Sequence, residues 1–131
     1  MRKFSNILLM ILSIVLLVSC GASKLSKNYS EKKLKAGTET VAKNLDEHKY
    51  QAIVDSFTPK LRKKLAADQL KQAWEGLGDV GKYNSISKLF FQEQKKDQYV
   101  TVVAIAKYEK KNIQLTVSFN KDMELVGLYM K

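Results

Sequence analysis

The stretch IQLTVSFN, residues 113–120, alternates without a break. Ile113, Leu115, Val117 and Phe119 fall on one side, and Gln114, Thr116, Ser118 and Asn120 on the other. Successive strand residues point to opposite faces, so this pattern specifies a half-buried β-strand. The pattern continues outward in both directions. Upstream, Lys110-Lys111-Asn112 reads as a turn, and Tyr99 to Glu109 is a run of β-branched and aromatic residues, apolar on both faces in its middle. Before it come a turn at Lys95-Lys96-Asp97-Gln98 and a strand candidate over Ile86 to Glu93. Downstream, Asn120 to Met123 turns and Leu125 to Met130 closes the sheet.

The period changes in the first half of the chain. Leu34, Thr38, Val41 and Leu45 recur at helical spacing, with Ser30 placed as N-cap and Glu31 in the first turn. Gly37 weakens that helix, and the pattern stops near Glu47-His48-Lys49. Tyr50, Ile53, Val54 and Phe57 share one face of a second, short helix. Thr58-Pro59 restarts helical structure, with proline at its first position. Leu61, Leu65, Leu70, Ala73, Trp74 and Leu77 extend the apolar face across a break at Ala66 to Asp68, which sets Trp74 under the sheet. Gly76, Gly78 and Gly81 end the helical half. Helices first and meander strands last predict an α+β domain, with N-terminal helices packed on an antiparallel sheet.

Arginine is scarce: of the charges that give this 131-residue chain its net +10, only Arg2 and Arg62 are guanidinium groups. Lysine is a hydrated point charge, whereas base readout and bidentate phosphate gripping favour arginine. Nucleic acid is therefore not an expected partner. Anionic lipid headgroups or an anionic wall polymer fit a lysine-rich domain better.

The N-terminus gives an address. Arg2 and Lys3 precede an apolar run from Ile7 to Val18, broken only by Ser13. Twelve residues are too few for a membrane span, which needs roughly 20, and suit a secretory signal core. The run ends at Leu17-Val18-Ser19-Cys20, which looks like a bacterial lipobox. Cys20 is the only cysteine. That resemblance implies that Cys20 receives a diacylglyceryl group and becomes the new N-terminus. Stable anchoring needs two lipid signals, and Cys20 would supply both chains. The chain thus divides into a signal peptide (1–19), a lipidated N-terminus and tether (20–29) and one α+β domain (30–131). The expected place is the cell membrane, on its extracytoplasmic face. Removal of Arg2 and Lys3 with residues 1–19, which hold no acid, leaves +8.

Two stretches carry a family likeness: YQAIVDSFTPKLRKKLAADQLKQAWEGL (50–77) and LTVSFNKDMELVGLYM (115–130). Together they resemble the bacterial domain of unknown function 3887, a domain often found on lipoproteins. Asp68 to Trp74 and Gly127-Leu128-Tyr129 are the most recognisable pieces. The family usually has serine where Ala66 stands, so a helix cap is missing or displaced here. The resemblance implies a nuclear transport factor 2-like fold, a cone of helices on a strongly curved sheet. It implies no established activity.

No catalytic set is legible, and neither a cofactor nor a metal site is expected. His48, the sole histidine, has no Cys or His partner, and consecutive positions hold Asp46, Glu47 and His48 apart. The candidate pocket or core residues are Tyr50, Phe57, Trp74, Phe91, Tyr108 and Phe119, with Phe90 beside them. These readings point to a lipid-anchored, non-enzymatic domain that binds a small ligand or a protein. The rival is an enzyme acting on a small hydrophobic molecule in the cone, with Asp55 as its only acid. A carboxylate buried in the cavity would favour the enzyme; an apolar, filled cone would favour binding.

Overall fold

The computed structural model describes residues 25–131. The expected signal peptide, Cys20 and the first part of the tether lie outside the described residues. Four helices come first: α1 (Glu31–Asp46), α2 (Tyr50–Asp55), α3 (Pro59–Lys64) and α4 (Ala67–Glu75). Four strands follow: β1 (Tyr83–Gln94), β2 (Tyr99–Tyr108), β3 (Asn112–Asn120) and β4 (Leu125–Met130). They form one antiparallel sheet in the order β1-β2-β3-β4. The expected α+β class and its helices-then-meander order are what the structure shows.

Local chemistry fixes the element ends. Ser30 Oγ accepts the Lys33 amide at 3.3 Å, closing the start of α1. Thr58 Oγ1 accepts the Leu61 amide at 3.3 Å, and Pro59 is the first residue of α3. At α4 the N-cap is Ala66, which has no side-chain oxygen; only the Gln69 side chain serves that end, accepting the Ala66 amide at 2.9 Å. Phe57 lies just past α2 and bridges Leu125 of β4. The Thr58 amide donates to Leu125 O at 2.9 Å, and the Leu125 amide to Ser56 O at 2.8 Å. This pair pins the helical layer to the β4 edge.

The strand alternation reads straight onto burial. Val100, Val102, Ala104, Ala106 and Tyr108 of β2 are buried, as are Ile113, Leu115, Val117 and Phe119 of β3. They meet Leu34, Leu45, Ile53, Phe57 and Leu70 from the helices in one apolar core. Irregular register near Tyr83–Lys88 in β1, and at Ser118/Phe119 opposite β4, bends the sheet around α1. Gly37 has a packing role: a Cβ there would stand 3.1 Å from Phe119 Cζ and from Met123 Cε. Glycine lets α1 approach the end of β3. Leu25 and Tyr29, inside the stretch read as tether, pack against the core, and the Ser26 amide donates to Glu93 Oε1 at 2.8 Å.

Candidate functional site

The structure brings five of the six candidate residues together. Tyr50, Phe57, Trp74, Tyr108 and Phe119 are buried in the one core. Phe91 is half-buried at its margin, opposite Val102, and Phe90 is turned out of the cone, 60% exposed. The expectation that Phe90 lines a cavity is therefore corrected: it pairs with Val103, and both lie on the outward side of the strand pair. Trp74 is packed as its spacing predicts, 4% exposed, with its ring 5.3 Å from that of Tyr108. Tyr83 stacks edgewise on the other side of Tyr108 at 5.7 Å.

The interior is apolar. Thr38 is the only buried polar residue among those described, and its hydroxyl donates to Leu34 O at 2.8 Å. The Tyr108 hydroxyl donates to Ala42 O at 2.7 Å, tying β2 to α1. Burial, with the Asp46 carboxylate nearby, pushes the Tyr108 phenol well above its ordinary value. Asp55 does not enter the cone: it is exposed, and accepts from Gln51 Nε2 at 2.9 Å. No carboxylate is buried among the described residues.

Concave features lie on the surface instead. A cleft of about 430 Å³ opens at one end, where Asp46, Glu75, Asp79 and Glu109 face Lys82, with Trp74 in the wall. His48 is on its rim, with Nδ1 2.9 Å from the Tyr50 hydroxyl. Asp79 is bonded to Lys110 and accepts from the Gly81 amide, which together hold its carboxyl below the usual range. Glu47 pairs with Lys49 at 3.1 Å. Asp46 and His48 therefore border the same cleft while Glu47 turns to Lys49, and no three ligating side chains converge among the described residues.

A second groove, about 400 Å³, runs between α1, α2 and the β3–β4 turn. Val41, Ile53, Phe119, Met123 and Leu125 make it apolar; Thr40, Asn44 and Ser56 are its polar points, and Lys33 is its one charged residue. The sequence reading missed this groove. Met123 lies in a turn and Gly37 in a helix, and nothing in their spacing places them side by side.

The family model described as "Protein of unknown function (DUF3887)" matches residues 38–128. The chain belongs to that family. The DUF3887 match runs from the middle of α1 to β4, so it takes in the helix–sheet core. The fold is also similar to a solved structure, titled "NMR structure of protein from Ruminococcus gnavus ATCC 29149". The two are 21% identical with a TM-score of 0.67, over 83% of this chain and 97% of the other. No curated protein matches significantly.

Proposed function

We propose that this DUF3887 protein is a lipid-anchored, non-enzymatic binding domain on the outer face of the cytoplasmic membrane. Cys20 is the anchor, and the α1–α2 groove is the ligand seat. The observation that carries the binding reading is the filled apolar core. Among the described residues the buried side chains, Thr38 apart, are aromatic and aliphatic with no carboxylate, which supports recognition at the surface over acid–base chemistry in the interior. The rival enzyme would need an acid in the cone, and its candidate, Asp55, is exposed.

The groove has the size and chemistry of a small-ligand site: mostly apolar walls with a few polar points. Lys33 at its rim favours a short apolar chain with an anionic head. Titration of residues 25–131 with octanoate, followed by methyl NMR, tests the seat. Shifts confined to Val41, Ile53, Met123 and Leu125 are expected. Absence of shifts, or shifts spread over Val100 and Val102 in the core, would contradict it.

A further inference from the structure

The sheet has a second face that the helices leave open. Its outward positions can be read from the register: Phe90, Val103, Thr116 and Tyr129 form one row across all four strands. Phe90 and Tyr129, 60% and 74% exposed, are the large exposed hydrophobic residues among those described, and both stand in this row. The next outward positions are Lys88, Ile105 and Gln114 on one side and Gln92, Thr101, Ser118 and Gly127 on the other. No outward strand position carries a carboxylate. Lysines frame the face. Lys88 and Lys107 lie within it, Lys95 and Lys96 sit on the β1–β2 turn, and Lys60 and Lys64 of α3 wall a groove of about 630 Å³ that holds Tyr99 and Tyr129. In that groove Asp97 is the one acid.

The start of the described chain adds a constraint. Ser26 is bonded to Glu93, which pairs with buried Val100 on the helix-covered side of the edge strand β1. The chain before it must therefore pass round that edge, beside the lysine turn, to reach the open face. Cys20 is five residues before Leu25, so the intervening chain reaches at most about 18 Å. Four strands spaced about 4.8 Å apart are about 14 Å wide, so a lipid on Cys20 can hold this face against a bilayer.

We propose that the open sheet face docks on a bilayer of anionic lipid, with Phe90 and Tyr129 at the headgroup boundary and the framing lysines over the phosphates. An apolar row in a cationic surface whose outward strand positions carry no acid is the composition that such an interface takes. A second copy fits worse. A two-fold contact would set Lys88 and Lys107 against the same face, whose outward strand positions carry no acid to answer them. The proposal rests on the anchor reading, and the two can fail separately.

The test uses the mature lipidated chain, from Cys20 onward, carrying Tyr129→Trp, in vesicles of brominated phosphatidylcholine with or without phosphatidylglycerol. Trp74 is buried and supplies a constant background. The introduced indole should be quenched by the brominated lipid when phosphatidylglycerol is present, and released near 1 M salt, where screening acts within about 3 Å. Adding Lys60→Glu and Lys64→Glu should weaken this contact by about fivefold per lysine. Equal quenching with and without phosphatidylglycerol would overturn the docking face, as would cross-linking of two copies through position 129. Flotation with vesicles lacking phosphatidylglycerol reads the Cys20 anchor alone. Its loss with anionic quenching retained would refute the anchor and keep the face.

Discussion

Ala66 holds the N-cap position of α4 in extended backbone, with φ −87° and ψ 165°. The geometry for a cap is present and the oxygen is absent. Gln69 already returns its half of the reciprocal pair. Ala66→Ser should therefore complete a capping box and stabilise the domain by about 1 kcal/mol. A chemical denaturation curve checks this; an unchanged midpoint would mean that Gln69 alone satisfies this helix end. Gly81 makes the opposite case. Its φ is +80°, and a Cβ there would come within 2.6 Å of Glu109 Cβ. Gly81→Ala should cost at least about 1–2 kcal/mol from the left-handed backbone alone, with the clash added, and thermal melts would read it.

At the scale of elements, the Tyr108 hydroxyl is the hydrogen bond that crosses from sheet to helix in the core. Tyr108→Phe should lose about 0.5–1.5 kcal/mol at neutral pH. The pH dependence has a definite sign. Burial raises this phenol above its ordinary 10.0, so the folded state holds the proton more tightly than the unfolded chain. That stability is complete below pH 10.0 and is lost as pH rises above it. Tyr29, Tyr50 and Tyr83 are raised in the same direction, chiefly by burial, so Tyr108→Phe should reduce the alkaline loss without abolishing it. Melting curves from pH 8 to 12 on both chains test this; parallel curves would contradict it. The strands, α1 and the Thr58-Pro59 start of α3 were legible because their signals are local: period two, period 3.6, a cap residue, a proline. β1 was read short at its N-terminal end. Tyr83 to Ser85 follow glycines and pair with β2 through an irregular register, a tertiary effect that alternation does not carry. The bond from Ser26 to Glu93 was hidden for the same reason.

At the scale of the whole domain, the described residues form a lysine-rich shell around an apolar interior, with the cleft and the two grooves on its surface. The core candidates were readable because aromatic residues on buried faces repeat at regular spacing. The grooves were not, since each joins distant segments: Lys33 with Met123 in one, Lys60 with Tyr129 in another. The distribution of charge also needed the fold. Lysines scattered along the chain become a frame around a sheet face where Asp97 is the acid lining the groove, while Asp46, Glu75, Asp79 and Glu109 gather at one cleft. Function at this scale depends on where the domain is held, and the claim that fixes this is the anchor at Cys20. Mass spectrometry of the N-terminal peptide from protein extracted out of its own membranes measures it directly. The account predicts a mature chain that begins at Cys20 with a diacylglyceryl group on its sulfur, and no such species from Cys20→Ala. A mature chain with an unmodified Cys20 thiol, or one that begins beyond it, would contradict the account.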